Sequence, residues 1–323
     1  MGGKPAVQAT RQIAAVARGL TRAAIAVHPG SRRLAPPILI GIADVAVSGQ
    51  LERTEPTGIG HSTNLVGVPM DFLAHARFND HPVPLHIAGV REMNPELFEM
   101  LAQASDLADA GGAFMCYMMA MFGIDAEQQE TPAGPDKPRR YRSSFLRLIT
   151  GWGCDSNGAE GAVLKGWVES RFGIFPTFHK AFIDRISSGT WTTYVEEKMS
   201  SRFHNNAIYV QLDLLFEFCQ WALANLVAPG KSHVTLYRGV NDFDEHQVVE
   251  RIDKTTVMMR LNNLSSFSSD REIAECFGDT ILTVRVPLSK VVFFNTLLAA
   301  YPFKGEREYL VIGGEYRVNA SYF

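Results

Sequence analysis

The amino-acid pattern changes at Pro229–Gly230, and this change limits the folds open to the chain more than any other feature. Before it, apolar residues recur every three or four positions, which is the period of an amphipathic helix. The strongest such stretch runs from His204 to Leu226. After it, apolar residues come in short runs between turn residues, which is typical of strands. The pattern predicts an α+β chain, helical over about its first two thirds and β-rich at the end.

The same patterns predict the individual elements. Helices are expected over Pro5–Val27, over Pro95–Phe122 (one helix, or two that break near Gly111–Gly112), and over Tyr141–Leu148, Glu160–Phe172 and His204–Leu226. Strands are expected over Val234–Val240, Leu264–Ser268, Ile281–Val286, Val291–Phe294, Tyr309–Ile312 and Tyr316–Val318. The polar, proline-rich segment Glu127–Arg140 is expected to be an exposed loop. We therefore predict a mainly helical region over residues 1–200 and a second domain, made of the last helix and the strands, over residues 201–323.

Charge balance and cysteine usage exclude several classes of protein. The 31 basic and 34 acidic side chains nearly cancel, whereas nucleic-acid binding needs clustered cations. The four cysteines form no CxxC pair, which favours free thiols in a reducing compartment, so we expect a cytoplasmic protein. The most apolar run, Gly112–Gly123, is shorter than the roughly 20 residues that span a bilayer, and we expect it to be a buried helix. Phosphate-loop, Rossmann, zinc-protease and serine-hydrolase motifs are missing, and the nine histidines lack metal-ligand spacing, so no metal is predicted.

The start of the chain is basic. Six Lys and Arg side chains and no acidic one precede Asp44. Such a composition is compatible with a transit peptide. A first amphipathic helix or a basic arm also explains this composition, and we favour that interpretation.

Three short segments of the β-rich part carry chemically active side chains. Arg238 closes an apolar strand in LYRG, Ser266 and Ser268 lie in NLSSFS, and Glu306 and Glu308 lie in FKGEREYL. Taken singly, each has an ordinary explanation: a surface ion pair, a helix cap, and a charged strand edge that discourages aggregation. Their order and spacing together indicate one shared site.

An arginine on a first strand, Ser-x-Ser on a second and Glu-x-Glu on a later one resembles the R-S-E class of ADP-ribosyltransferases. The resemblance covers roughly residues 200–320, with Phe267 where the class has Thr. It implies a C-terminal split β-sandwich core that binds NAD as a substrate in a cleft. It also implies that Asn263 contacts NAD, that Phe277 packs on nicotinamide, and that Phe303 recognises the target arginine.

The resemblance assigns a role to each member of the motif. Cleavage of the nicotinamide–ribose bond develops an oxocarbenium-like cation, which a carboxylate stabilises. Glu308 would take this role and hold the ribose 2′-hydroxyl, with Ser266 hydrogen-bonded to it. Arg238 would pair with the NAD pyrophosphate, and Ser268 would also contact NAD. In an extended segment Glu306 would project on the same face as Glu308, about 6.6 Å along the strand, and accept a proton from an attacking arginine.

Longer segments carry a closer resemblance. GHSTNLVGVP (60–69), PLHIAGVREMN (84–94), GAVLKGWVESRFG (161–173) and KMSSRFHNNAIYVQLDLLFEFCQW (198–221) resemble the dinitrogenase reductase ADP-ribosyltransferases of nitrogen-fixing bacteria. That family implies a protein substrate, the iron protein of nitrogenase, whose modified arginine stops nitrogen fixation reversibly. It also implies control by a PII signalling protein.

Four other interpretations stay open at this point. The chain could be an NAD-binding regulator without catalysis, although its complete Arg, Ser and Glu-x-Glu set argues against that. A poly-ADP-ribosylating enzyme is expected to carry His in place of Arg238, and a secreted toxin is expected to carry an export signal. A helical scaffold with an incidental β-domain would not respond to NAD. The polar segment Arg202–Asn206 fits either a helix-capping network or contact with NAD or the partner protein.

Overall fold

The computed structural model describes residues 64–124, 143–200, 202–241, 243 and 247–322, which belong to one compact unit, Gly58–Phe323. The predicted helix Pro5–Val27 and the predicted loop Glu127–Arg140 lie outside the described residues.

Ten α-helices are found in the described part of the chain. They are α1 (Met70–Ala74), α2 (Ala76–Asp80), α3 (Val90–Met93), α4 (Pro95–Ala102), α5 (Leu107–Phe122), α6 (Phe145–Cys154), α7 (Ala159–Phe172), α8 (Gly189–Lys198), α9 (Ile208–Ala222), which continues as a π-turn over Leu223–Val227, and α10 (Arg271–Glu275). None of the helices described is both long and apolar enough to cross a membrane.

The predicted break near Gly111–Gly112 is wrong. The helical segment is interrupted instead by the four residues 103–106, which separate α4 from α5. Asp106 caps α5 by accepting a hydrogen bond from the Asp109 N–H at 2.9 Å, a signal that fixes a helix start. Gly111 lies inside α5, where a Cβ atom would come within 3.1 Å of the Leu297 carbonyl oxygen. The glycine therefore permits a close helix–loop contact and does not end the helix.

Helices α5 and α9 differ in how well their burial follows the sequence. The predicted face of α9 (Ile208, Leu212, Leu215, Phe218, Cys219 and Ala222) is buried throughout. Helix α5 is buried on one side only, through residues such as Phe114, whose ring stacks on Phe218 at 4.4 Å. Gly112, Cys116 and Ala120 on its other side are exposed, so the prediction of a buried helix holds for one face only.

Eight strands are found in the described part of the chain; five of them contain the six predicted runs, and three short ones were not predicted. The eight strands are β1 (Phe178–His179), β2 (Ala181–Phe182), β3 (His233–Val240), β4 (Val248–Arg251), β5 (Thr256–Ser268), β6 (Thr280–Pro287), β7 (Val291–Phe294) and β8 (Glu308–Tyr322). The two runs predicted at Tyr309–Ile312 and Tyr316–Val318 form one strand through Gly313 and Gly314. A Cβ at Gly313 would lie 1.7 Å from the Asn262 carbonyl oxygen, and Gly314 has φ +109°. These glycines allow an irregularity in the β5–β8 pairing between Leu261 and Leu264, not a strand end.

Six strands form a sheet that closes on itself. Their order is β4-β5-β3-β6-β8-β7, and a further antiparallel pairing joins β5 to β8. Strands β5, β3, β6 and β8 thus form a ring, in which β3 meets β5 only at the pair Tyr237–Ser268. One hydrophobic core includes residues of both the helices and the sheet. The α+β prediction is confirmed, and the division at residues 200/201 stays a prediction.

Candidate active site

The register of β5 and β8 brings the serine motif onto the carboxylate motif. Ser268 faces Glu308 across the two strands, and Ser266 faces Leu310. The Ser266 hydroxyl donates a hydrogen bond to Glu308 Oε1 at 2.7 Å. The structure thus makes the contact that the expected role of Ser266 requires.

Tyr301 holds the second oxygen of the same carboxylate. Its hydroxyl donates to Glu308 Oε2 at 2.8 Å, and Glu308 is only 4% exposed. Burial, together with the negative charge of Glu308, raises the pKa of Tyr301 far above its ordinary value. The phenol therefore stays protonated and remains a hydrogen-bond donor to Glu308.

Two further donors converge on Ser266. The indole Nε1 of Trp152, near the end of α6, donates to Ser266 Oγ at 2.8 Å. Arg238 Nη1 donates to the Ser266 carbonyl oxygen at 2.7 Å, across the gap between β3 and β5. Helix, strand and loop residues thus meet around one carboxylate.

The Arg238 guanidinium is half-buried and close enough to Glu308 for their charges to interact. Burial lowers the pKa of Arg238, and the negative charge of Glu308 raises it. An arginine has an ordinary pKa above ~12, so Arg238 remains charged at neutral pH. The site therefore contains a fixed cation next to a fixed carboxylate.

Glu306 is not extended in line with Glu308. Arg307 between them has a backbone φ of +47°, in the left-handed region that residues other than glycine rarely adopt. The expected 6.6 Å arrangement along one strand face is therefore wrong, since β8 begins only at Glu308. Glu308 lies inside the site, whereas Glu306 is half-exposed at its edge. Burial and the charge of Glu308 raise the pKa of Glu306 above its ordinary value.

Ser268 anchors the turn that carries Glu306. Its hydroxyl donates to the Glu306 carbonyl oxygen at 2.9 Å and accepts from the Asp270 N–H at 3.1 Å. The Arg307 guanidinium points away to Asp270 at 2.9 Å. The left-handed conformation of Arg307 thus places the two glutamates at different depths, and Ser268 of β5 holds the turn between them.

The two predicted aromatic contacts lie beside this cluster. Phe303 is half-buried and packs edge-on against Tyr301, with ring centroids 5.7 Å apart. Phe277 is 57% exposed, so it is not a core residue. Its backbone follows α10 and lies against β3 beside Arg238: a Cβ on Gly239 would come within 3.1 Å of the Phe277 carbonyl carbon.

Asn263 differs from the other expected site residues. It is fully buried, and its amide nitrogen donates to the backbone oxygens of Lys165 and Ile174 at 2.9 and 3.0 Å. The structure uses these bonds to join β5 to α7 and the segment after it. Contact of Asn263 with NAD stays a prediction.

The segment before α9 likewise holds backbone together. Asn205 Oδ1 accepts from the Ser143 N–H at 2.6 Å, and Asn206 Nδ2 donates to the Phe122 carbonyl oxygen at 2.9 Å. These bonds tie the segment to the end of α5 and to the residues before α6; they do not cap α9, whose N-cap residue Ala207 makes no side-chain capping bond.

Trp152 and Tyr301 were not identified from the sequence. A signal for Trp152 exists in its setting, Gly151-Trp152-Gly153, because two glycines around a helical tryptophan indicate close packing on both sides. A Cβ at Gly153 would lie 2.9 Å from the Tyr301 hydroxyl oxygen and 2.8 Å from the Phe303 ring. Tyr301 carried no such signal.

Comparison with known proteins agrees with this geometry. The family model of dinitrogenase reductase ADP-ribosyltransferase (DRAT) matches residues 63–320. The NAD(+)--dinitrogen-reductase ADP-D-ribosyltransferase of Rhodospirillum rubrum is 66% identical over 266 residues, which are 82% of this chain and 96% of that protein. No solved structure matches the chain. The chain belongs to the dinitrogenase reductase ADP-ribosyltransferase family.

Proposed function

We propose that this protein transfers ADP-ribose from NAD⁺ to an arginine of dinitrogenase reductase and thereby stops nitrogen fixation reversibly. The activity named for the 66% identical Rhodospirillum rubrum protein supports the reaction and the protein substrate. The observation that carries the proposal is the buried Glu308 carboxylate, held by Ser266 and Tyr301 beside Arg238. Strands β3, β5 and β8 supply the arginine, the serine and the glutamate in the order of the R-S-E class.

We also propose that the ring of strands is the split β-sandwich core of that class, within a catalytic domain over residues 201–323. Support comes from the single contact Tyr237–Ser268 between β3 and β5. Beside this contact the two strands separate, and Arg238 and Ser266 lie at the opening. A cleft for NAD is expected there, with Ser268 beside it.

Glu308 has the properties that bond cleavage requires. An ionised carboxylate has about four lone-pair sites, and Ser266 and Tyr301 occupy one on each oxygen. The others remain for the ribose 2′-hydroxyl. When the bond between ribose C1′ and the nicotinamide nitrogen breaks, its electron pair leaves with nicotinamide. The positive charge left on the ribose is then stabilised by the fixed negative charge of Glu308.

Glu306 is suited to the second half of the reaction. It lies half-exposed at the edge of the site, where a protein substrate can reach it. A carboxylate can orient a guanidinium through two parallel hydrogen bonds. The arginine nitrogen would bond to C1′ and release its proton to Glu306, whose raised pKa makes it a better acceptor than an ordinary glutamate.

Arg238 would hold the NAD pyrophosphate, because a planar guanidinium matches phosphate oxygens and has donors besides the Nη1 that contacts Ser266. Phe277 would pack on nicotinamide and Phe303 would contact the target arginine. We further propose cytoplasmic placement, which the free cysteines favour, and regulation by a PII protein, which the family resemblance implies.

The test is a transfer assay. The purified protein is incubated with labelled NAD⁺ and dinitrogenase reductase, with and without a PII protein, and the label is located by mass spectrometry. Label on one arginine of the reductase is the expected result. Consumption of NAD⁺ without label on the reductase would refute the proposed substrate. Thermal stabilisation by NAD⁺ without any turnover would instead favour a non-catalytic NAD-binding regulator.

A further inference from the structure

We infer that Trp152 of the helical region is a positioning residue for Glu308, acting by fixing the direction of the Ser266 hydroxyl. The inference rests on the proposed function, since it assigns a residue to the same reaction. No part of the Arg, Ser and Glu-x-Glu pattern includes this tryptophan. It reaches the site from α6, outside the β-rich part of the chain.

Hydrogen-bond donors and acceptors give this network one direction. An indole N–H can only donate, so Ser266 Oγ must accept from Trp152 Nε1 at 2.8 Å. The single hydroxyl proton of Ser266 is then directed to Glu308 Oε1 at 2.7 Å. Because consecutive hydrogen bonds polarise one another, the indole donor also strengthens the bond from Ser266 to Glu308.

The indole ring is held firmly enough to serve as a reference point. Trp152 is 4% exposed, and the Lys165 ammonium lies 5.8 Å from the centroid of its ring, a cation–π distance. Lys165 is itself fixed by hydrogen bonds of 3.1 Å to Asn157 Oδ1 and to the Phe178 carbonyl oxygen. A rotation of the indole would therefore disturb several buried contacts.

The same helix end also approaches the residue that holds the other carboxylate oxygen. The missing side chain of Gly153 leaves room for the Tyr301 hydroxyl and the Phe303 ring. Tyr301 donates to Glu308 Oε2, so the end of α6 touches both arms of the network around Glu308. The helical region is thus part of the catalytic geometry, beyond its contribution to the core.

The test compares Trp152→Phe, Ser266→Ala and the double variant in label transfer to dinitrogenase reductase. Trp152→Phe keeps an aromatic ring and removes the N–H. We expect kcat to fall about fivefold, the equivalent of one ordinary hydrogen bond, with KM for NAD⁺ unchanged. If Trp152 acts through Ser266, the double variant is no slower than Ser266→Ala alone. Effects that multiply would overturn the inference, because a general structural defect would add to the loss of Ser266.

Trp167 provides the matched control. Its indole Nε1 donates to Asp213 Oδ1 at 2.7 Å, within the helical core. Trp167→Phe therefore removes a buried indole N–H of the same kind, lowers the thermal midpoint and leaves kcat unchanged. An equal loss of kcat in Trp167→Phe would attribute the Trp152 effect to stability and overturn the inference.

A spectroscopic measurement separates this inference from the proposed function. The chain has four tryptophans, so a ¹H–¹⁵N spectrum contains four indole signals, and Trp152→Phe identifies the one of interest. Ser266→Ala is expected to shift that signal and speed its hydrogen exchange, while the Trp167 signal stays in place. An unchanged Trp152 signal would refute the hydrogen bond even if the enzyme is active. A wild-type protein that transfers no label would refute the function while this readout still decides the contact.

Discussion

Replacement of Glu308 by Gln tests the chemistry most directly, because it removes a charge and keeps the shape of the side chain. The carboxylate accepts hydrogen bonds from Ser266 at 2.7 Å and from Tyr301 at 2.8 Å. An amide has one oxygen and one NH₂ group, so one of these two hydroxyl donors loses its acceptor. This loss costs roughly 1–3 kcal/mol of the free energy of unfolding, which is less than the usual ~5–15 kcal/mol of a folded domain. Glu308→Gln should therefore fold.

The effect on the reaction is larger. A fixed group that faces the developing charge contributes about 2.7–4 kcal/mol to the activation free energy, or a factor of roughly 100 to 1,000 in kcat. NAD⁺ binding should change by less than about tenfold, because the Arg238 contact proposed for the pyrophosphate is retained. We expect label transfer and nicotinamide release to fall together, since both depend on breaking the same bond.

Single-turnover label transfer and nicotinamide release are the assays, with NAD⁺ affinity measured by calorimetry and folding by the thermal midpoint. Glu315→Gln is the matched control: it lies on the same strand and pairs with Arg260 at 2.9 Å, outside the Ser266–Tyr301 network. It should keep wild-type kcat. A folded Glu308→Gln protein that still transfers label within about threefold of the wild-type rate would refute the reasoning, because that factor is no more than one ordinary hydrogen bond.

Three further changes have defined outcomes. Glu306→Gln should lose transfer to arginine but keep slow NAD⁺ hydrolysis. In the wild-type protein, the rate of transfer should fall on acidification at a pH above ~4.3, the pKa of an ordinary glutamate. The reason is that burial and the charge of Glu308 raise the pKa of Glu306. A pH–rate profile of transfer checks this, and Glu306→Gln that still transfers would contradict it. Gly153→Ala should lower kcat about tenfold or more, because the added methyl group displaces the Tyr301 hydroxyl. Steady-state assays measure kcat, and the thermal midpoint is the control for folding. An unchanged kcat would show that the loop carrying Tyr301 moves without cost to the reaction. Lys290 is fully buried, and burial lowers its pKa to about 7. Between about pH 7 and ~10.4, the ordinary pKa of lysine, the unfolded chain therefore binds more protons than the folded protein. The free energy of unfolding should rise with pH in that window. Lys290→Met should remove this rise in denaturant titrations at several pH values, and an equal rise in both proteins would exclude Lys290 as its source.

Periodicity determined the fold class and the positions of most of the longer helices. The apolar face of α9 and the bounds of α7 followed from the 3.6-residue pattern, because burial of one helix face requires that spacing. Spacing also singled out Arg238, Ser266 and Glu308 as one group. The resemblance to the R-S-E class made that grouping, and it rests on their order along the chain.

Glycines were the main source of error in the fold. Those at 111 and 112 were expected to mark a break, and those at 313 and 314 a gap between strands. In each pair the glycine allows another backbone to approach closely, at Leu297 and at Asn262. A local sequence does not distinguish a glycine that ends an element from one that accommodates a distant neighbour.

Only the tertiary structure decided the depth and the partners of the two glutamates. The Glu-x-Glu pattern predicts one strand face, but the left-handed conformation of Arg307 separates a buried Glu308 from a half-exposed Glu306. Trp152 lies 114 residues from Ser266 along the chain, so no local pattern could connect them. Sequence by itself singled out the candidate side chains, because residue type and order can be read along the chain. The folded chain alone determined which donors hold them, because hydrogen bonds form between residues that packing brings together.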